Sequence, residues 1–219
     1  MTNQDLLHLL HCEVVPAIGC TEPIAVALCV ARAKEKLGTE PDRIMVYLSK
    51  NVYKNALAVG IPNTGMTGLP IAIALGATVG KSKYMLEVLR DATPAAVAYA
   101  KEYMLRVPTQ IHINYEAPSI LYIHVVVHKG DQTAQATIID EHTNFVENDQ
   151  TTSSSTKSIP QVSQSELSLR RVYDFAMEVD THDIAFLKEG AEMNISAAET
   201  SFADQYGNGL GRLLRSPTI

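Results

Sequence analysis

A cysteine at the start of a predicted helix is the residue best placed for chemistry. Cys20 lies in the segment VVPAIGCTEP, residues 14–23. Thr21 is a good N-cap, and Pro23 fits a first helical turn, where amides lack partners. A thiol at this position feels the positive end of the helix dipole, so we expect a lowered pKa and a thiolate available as nucleophile or metal ligand. The alternative is a small buried residue, as most free cysteines are.

A second group of polar residues follows a predicted strand. Residues 49–65 combine short polar side chains with glycines, which supply hydrogen-bond donors and let a ligand approach the backbone closely. The candidate binding residues are Ser49, Asn51, Asn55, Thr64 and Gly65. Lys54 could pair with a carboxylate or, if desolvated, act as a base. The alternatives are a surface loop with ordinary turn residues and a solvated lysine.

A histidine after the last predicted strand is the third candidate. His142 is followed by Thr143 and Asn144 and preceded by two carboxylates. Such a histidine can orient a substrate or transfer a proton near neutral pH. If it approached Cys20, the pair could act as nucleophile and base. The remaining strand histidines are predicted to form a solvent-facing stripe rather than a metal site: His112, His124 and His128.

These three motifs together resemble the L-cysteine desulfidase family, which is related to the iron–sulfur L-serine dehydratases. The resemblance rests on GCTEP at residues 19–23, on the Ser-x-Asn to Pro-x-Thr-Gly stretch at residues 49–65, and on His142-Thr143-Asn144. Ala56 and Asn63 stand where this family usually has glycine, and Glu141 replaces the glycine before the histidine.

The resemblance implies a lyase that removes sulfide from L-cysteine, or a similar small amino acid, giving pyruvate and ammonia. It implies a [4Fe-4S] cluster with Cys20 as one ligand, and Lys54 and His142 as catalytic residues. Ser49, Asn51, Asn55, Thr64, Gly65, Thr143 and Asn144 would face the substrate.

The cysteine count limits that expectation. A cluster with one open iron needs about three thiolates, and Cys12 and Cys29 match no ligand spacing with Cys20. The family carries its remaining ligands in a C-terminal half that these 219 residues do not contain. We therefore expect the N-terminal half of a lyase, inactive alone, whose partner is a separate C-terminal-half chain or another copy of itself. A non-catalytic module that binds a small amino acid or a partner chain is the alternative.

Periodicity predicts the elements that position these residues. Helices are expected at residues 4–12, 22–37, 70–79, 84–90 and 94–105, with Gly38 directly after the second helix and Thr93 as the N-cap of the last. Strands are expected at residues 43–49, 110–115, 120–128 and 132–139, where apolar residues alternate. The resulting fold class is α+β: a four-stranded antiparallel sheet with helices on one face, followed by a short helical segment.

Composition sets the domain organisation and excludes some functions. We expect an α+β domain at residues 1–148, a polar linker at 149–164 and a helical segment at 165–219, the start of a truncated second domain. A net charge of −6 without a basic run argues against nucleic acid as a partner. No apolar run is long enough for a membrane span. We expect no signal peptide, because residues 1–5 lack a positively charged region and an apolar signal core. Three cysteines, an odd number without the spacing of a disulfide framework, fit a reducing compartment, so we expect a cytoplasmic protein.

Overall fold

The computed structural model describes residues 1–146, 167–204 and 209–215. Residues 16–146 form one compact unit that carries the three motifs. Residues 1–15 group with the described residues from 167 onward in a second unit. The linker predicted at residues 149–164 lies outside the described residues.

A five-stranded mixed sheet forms the base of the larger unit. In spatial order its strands are β4 (Thr109–Asn114), β1 (Arg43–Ser49), β5 (Tyr122–Lys129), β6 (Gln132–Ile139) and β7 (Phe145–Val146). Strands β1 and β4 are parallel, with Ile44 opposite Thr109, whereas β1–β5, β5–β6 and β6–β7 are antiparallel.

The predicted four-stranded antiparallel sheet is therefore wrong. Strand β1 lies between β4 and β5, so the two strands expected to form a hairpin are separated by β1. Burial explains the order: Ile44, Val46 and Leu48 of β1 are fully buried, whereas β4 exposes polar residues such as Gln110. The most apolar strand takes the centre of the sheet and the polar strand its edge.

Helix α2 (Thr21–Leu37) is the central helix of this unit. It packs on β5 and β6, and helix α4 (Leu69–Thr78) packs on α2. Ten of the 17 residues of α2 are buried, nine of them in the unbroken run 23–31, so its N-terminal half is core. The two helices approach closely because Gly76 has no side chain: a Cβ there would lie 2.5 Å from the carbonyl oxygen of Ala27. Helix α2 ends as predicted, with Gly38 in the left-handed conformation at φ 79°.

The remaining segments of the unit are shorter. Helix α3 (Lys50–Ala56) and the hairpin β2 (Gly60–Ile61) and β3 (Met66–Thr67) lie in the stretch expected to be a loop. Helix α5 (Pro94–Arg106) begins as predicted, capped by the Thr93 side chain. The helix predicted at residues 84–90 is wrong: a 3₁₀ segment, Ser82–Glu87, is interrupted at Met85.

The second unit is helical. It contains α1 (Asn3–Glu13), α6 (Leu169–Glu178), α7 (Phe186–Asp204) and α8 (Leu210–Arg215). Arg171 of α6 donates hydrogen bonds to the Met1 carbonyl and the Asn3 side chain, which fastens α6 to α1. Helix α7 has no buried residue among the described positions. None of the described helices combines the length and apolar character that crossing a membrane requires.

Candidate functional site

Cys20 occupies the boundary where the chain enters α2. Its backbone is extended (φ −71°, ψ 136°), and it is the N-cap residue, although its side chain makes no capping bond. The predicted cap, Thr21, is instead the first residue of the helix. Gly19 precedes it with φ 88°, a left-handed conformation that glycine adopts without strain. The cysteine therefore lies at the helix start as expected, one position closer to the helix than predicted.

A carboxylate that the sequence did not single out joins the motif residues. Glu22, in the first turn of α2, accepts a hydrogen bond from the Cys20 thiol at 3.2 Å and another from the Thr21 hydroxyl at 3.2 Å. Its other oxygen, Oε1, accepts a hydrogen bond from Asn55 Nδ2 at 3.0 Å. Both oxygens of Glu22 are thus engaged, and they connect α2 to α3.

The protonation states follow from this arrangement. Burial, together with the hydrogen bond to Glu22 and its negative charge, raises the pKa of the Cys20 thiol. Burial acts against ionisation of Glu22 as well, but hydrogen bonds from Cys20 and Asn55 hold its pKa below the ordinary value. The expectation of a lowered thiol pKa is therefore wrong, because Glu22 already supplies the negative charge that the helix N-terminus favours. At neutral pH the site is a protonated thiol beside an ionised carboxylate.

Two contacts bring the first and second motifs together. One is the Asn55–Glu22 hydrogen bond, and the other joins the loops that carry them. A Cβ on Gly19 would lie 2.9 Å from Cγ of Pro62, so the glycine lets these loops touch. The structure thus places the GCTEP segment against the Ser49–Gly65 stretch, as a common site requires.

Within the second motif, two of the predicted binding residues have structural roles. Ser49 is buried, accepts a hydrogen bond from the Val52 amide as the cap of α3, and donates one to the Ile120 carbonyl at 2.6 Å. Thr64 is buried and donates a hydrogen bond to the Ile61 carbonyl at 2.7 Å. Asn55 is the residue of this stretch that reaches the Cys20 segment.

The other residues of the second motif lie at the surface or in the turn. Asn51 and Lys54 are exposed on α3, so Lys54 is not desolvated in the way that the predicted base would require. Gly65 is exposed with φ 65°, and Asn63 also has a left-handed backbone, with φ 63°. Asparagine tolerates that conformation better than other side chains, which explains how it stands where the resembling family has glycine.

The third motif forms the turn between β6 and β7. Asn144 Nδ2 donates a hydrogen bond to the Ile139 carbonyl at 3.0 Å, which closes the turn, and Thr143 is partly buried. Nε2 of His142 is buried and has no hydrogen-bond partner among the described residues. In the part of the chain that the structure describes, no hydrogen bond joins His142 to Cys20, whose thiol donates to Glu22. The condition for a nucleophile–base pair of Cys20 and His142 is therefore not met.

The fit of an iron–sulfur cluster can be judged from the cysteines. Cys29 lies on α2 nine residues beyond Cys20, about 14 Å along the helix, and its buried thiol donates a hydrogen bond to the Ala136 carbonyl at 3.3 Å. Burial raises the pKa of Cys29 far above its ordinary value, so it is a core residue. Cys12 belongs to the helical unit. Residues 1–146, 167–204 and 209–215 contain no cluster of three potential metal ligands, so the described chain does not fit a cluster by itself.

Comparison with known proteins finds bacterial relatives of this chain. The chain is 48% identical to a UPF0597 protein of Phocaeicola vulgatus over 98% of its length. It is 47% identical to one from Bacteroides fragilis and 38% identical to one from Porphyromonas gingivalis. It spans about half the length of these relatives: 51%, 51% and 52%.

Two further comparisons gave no match. No family model matches the sequence, and no solved structure matches it. The name UPF0597 states neither substrate nor reaction, so the function is inferred from the site.

Sequence reasoning missed Glu22 as a functional residue. A signal was present, since Glu22 lies two positions from Cys20 inside the GCTEP segment and in the first helical turn, where a carboxylate is favoured. Its hydrogen-bond partner Asn55 lies 33 residues further along the chain, and no local sequence pattern predicts such a contact.

Proposed function

We propose that this chain is the substrate-binding part of a carbon–sulfur lyase that acts on L-cysteine or a similar small amino acid. The supporting observation is the Glu22 carboxylate, which gathers Cys20, Thr21 and Asn55 from two motifs into one cluster. The resemblance of all three motifs to the L-cysteine desulfidase family supplies the reaction. UPF0597 relatives twice as long as this chain leave room for the rest of an active site.

The chemistry of the cluster suits a zwitterionic amino acid. The ionised Glu22 can bind the ammonium group, since it is an acceptor of lowered pKa next to the partly buried Cys20. Lys54, which is exposed on α3, can pair with the substrate carboxylate. We retain His142 as the proposed base, because its Nε2 is buried and has no hydrogen-bond partner among the described residues. The proposed catalytic role of Lys54 rests on the resemblance alone.

We propose further that this chain does not complete the lyase by itself. The resemblance assigns Cys20 as one ligand of a [4Fe-4S] cluster, but the described residues do not supply the other thiolates. They would come from a separate chain carrying the second half or from another copy of this one. The chain alone is therefore expected to hold no stable cluster and to release no sulfide.

Anaerobic reconstitution tests this statement. The chain is incubated with iron, sulfide and a reductant, desalted, and examined for bound iron, cluster absorbance and hydrogen sulfide release from L-cysteine. Substoichiometric iron without turnover is expected. A stoichiometric cluster that sustains turnover would contradict the proposal that this chain is incomplete.

Binding of amino acids in the absence of metal tests the substrate site. It also distinguishes the proposed lyase from the non-catalytic binding module. At tenfold excess over Kd, L-cysteine should stabilise the chain by about 1.4 kcal/mol, or roughly 3–6 °C in Tm. Glu22→Gln should abolish the shift, whereas Glu116→Gln, at an exposed residue, should keep it. Binding of L-cysteine and L-serine without turnover, even when a second-half chain is added, would favour the non-catalytic binding module. No shift with either amino acid would contradict the Glu22 site.

A further inference from the structure

Helix α6 of the helical unit has an apolar face that is exposed in the described part of the chain. At 3.6 residues per turn, five of its apolar side chains fall within one arc of about 140° around the helix axis. They are Leu169, Val172, Tyr173, Ala176 and Met177. All five are exposed, Leu169 to 90% and Met177 to 70%. We refer to these five residues as the α6 face.

The opposite side of α6 is polar and holds the helix to α1. Glu178 accepts a hydrogen bond from Asn3 Nδ2 at 3.1 Å, and Arg171 donates one to the oxygen of the same Asn3 side chain. Phe175 lies next to these residues on the helix and is buried. Because α6 is fixed to its unit by this side, its apolar face is left for a partner outside the unit.

The helical unit has little core of its own. Among the described residues of α1, α6, α7 and α8, only Leu6 and Phe175 are buried. A unit of this size needs a larger core, disulfides or a partner surface to be stable. The three cysteines of the chain are free, so no disulfide stabilises the unit. Burial of the α6 face against a partner would supply the missing core.

The UPF0597 relatives are long enough to cover the α6 face. The match to the Phocaeicola vulgatus protein includes 98% of this chain and therefore α6, but it spans only 51% of that protein. In the relative, about as many residues again are joined to the same helical unit. A segment of the same polypeptide binds at a high effective concentration, and an exposed apolar patch marks an interaction surface.

We propose that the α6 face is the docking surface for the second half of a UPF0597 protein, the half that this chain does not match. The inference rests on the proposed function, which requires a completing chain, and it names where that chain binds. Arg170 and Asp174, which lie beside the face, form an ion pair with each other at 3.0 Å. The surface that docks on α6 is therefore expected to be apolar rather than charged.

Coexpression of this chain with the second half of the Phocaeicola vulgatus protein tests the docking surface. Copurification in equal amounts is expected. Replacement of both Tyr173 and Met177 by alanine should weaken binding about thirtyfold, as loss of a central aromatic contact does. The matched control replaces both Arg170 and Asp174 by alanine on the same helix. It removes only a surface ion pair, so binding should be unchanged.

The two double variants are decisive because neither removes a buried side chain, and circular dichroism verifies that both fold. Absence of a complex with the wild type, or equal weakening by both variants, would overturn the docking surface. A chimera in which this chain replaces the matched half of the relative gives a second measurement that does not require the second half to fold alone. Met177→Cys should be alkylated about tenfold more slowly in the chimera than in this chain, whereas Arg170→Cys should react equally in both. Equal rates for Met177→Cys would overturn the proposal.

The oligomeric state of this chain alone tests the other occupant of the face. Light scattering should show a monomer. A dimer that is abolished by the alanine replacements at Tyr173 and Met177 would overturn the second half as the occupant, since a second copy would then cover the face.

L-cysteine binding separates this inference from the proposed function. The variant with alanine at Tyr173 and Met177 should still bind L-cysteine, because α6 contains no residue of the Cys20–Glu22 site. A complex that forms through the α6 face but releases no sulfide would contradict the lyase and support the docking surface. Retained L-cysteine binding without a complex would contradict the docking surface alone.

Discussion

Substitution of Gly76 by alanine is expected to destabilise the helix that carries the Cys20–Glu22 site. The new Cβ would lie 2.5 Å from the Ala27 carbonyl oxygen and 3.0 Å from its Cα, and both are backbone atoms of α2. They cannot rotate away as a side chain could. Reaching an ordinary contact of 3.4 Å requires α2 and α4 to separate locally by about 0.9 Å. Ala27 is fully buried, so the separation disturbs a packed core.

The expected loss of stability in Gly76→Ala is the difference between two effects. Overpacking of a well-packed core costs about 1–3 kcal/mol, and a clash with backbone belongs at the upper end. Alanine in a helix interior recovers about 1 kcal/mol relative to glycine. The expected net loss is therefore about 2 kcal/mol, which corresponds to roughly 4–8 °C in Tm for a chain of this size.

Gly190→Ala is the matched control for Gly76→Ala. Gly190 is also a helical glycine, on α7, but a Cβ there meets nothing within 4 Å. Only the gain in helix propensity from glycine to alanine remains, so Gly190→Ala should be as stable as the wild type or slightly more stable. Unfolding of both variants and the wild type would be followed by circular dichroism in urea and on heating. A Gly76→Ala chain as stable as the wild type would refute the close α2–α4 contact.

Four further predictions concern three residues of the motifs: Glu22, Ser49 and Asn63. Burial raises the pKa of Cys20, and so do the hydrogen bond to Glu22 and the negative charge of Glu22. Glu22→Gln removes the charge and keeps an amide oxygen as acceptor, so alkylation of Cys20 near pH 8, quantified by peptide mass spectrometry, should be severalfold faster; an unchanged rate would contradict the effect of the Glu22 charge on Cys20. Because folding lowers the Glu22 pKa from 4.5, its stabilising contribution is present above that value and is lost as the pH falls through the folded-state pKa. The advantage of the wild type over Glu22→Gln in urea unfolding should therefore disappear in acid, and an advantage that persists there would contradict this linkage. Ser49→Ala loses the cap of α3 and the bond to Ile120 and should lower the free energy of unfolding by about 1–2 kcal/mol; no loss would show that the cap is dispensable. Asn63 has a left-handed backbone with φ 63°, which glycine adopts without strain, so Asn63→Gly should be at least as stable as the wild type. Asn63→Ala should lower the free energy of unfolding by about 1 kcal/mol. An Asn63→Ala variant more stable than Asn63→Gly would contradict this backbone conformation.

Local signals in the sequence predicted much of the fold. The end of α2 at Gly38 was predictable because glycine adopts the left-handed conformation at a helix end without strain. The start of α5 was predictable because the Thr93 hydroxyl accepts a hydrogen bond from a first-turn amide. The strands were predictable because their apolar residues alternate. The order of the strands was not, because alternation does not specify which strand lies beside which. The parallel pairing of β1 with β4 depends on the burial of Val46 and its neighbours, which is a property of the whole unit.

The candidate site was predictable in its members but not in its chemistry. Cys20 and Asn55 were singled out from sequence, and the structure joins them through Glu22. The sign of the Cys20 pKa shift was wrong because a helix dipole was considered without the carboxylate that already occupies its positive end. The 3₁₀ break at Met85 had no sequence signal, since a methionine with positive φ is uncommon.

The position of β1 between β4 and β5 has a consequence for synthesis of the protein. The GCTEP segment and the Ser49–Gly65 stretch leave the ribosome before the strands that flank β1, which end at Asn114 and Lys129. At about 5–20 residues per second, the residues from Ser49 to Lys129 take roughly 4–16 s to synthesise. Throughout that interval the apolar face of α2 has no sheet to cover it. We therefore expect nascent chains stalled before β5 to require chaperones, and those stalled well after Lys129 to fold without them.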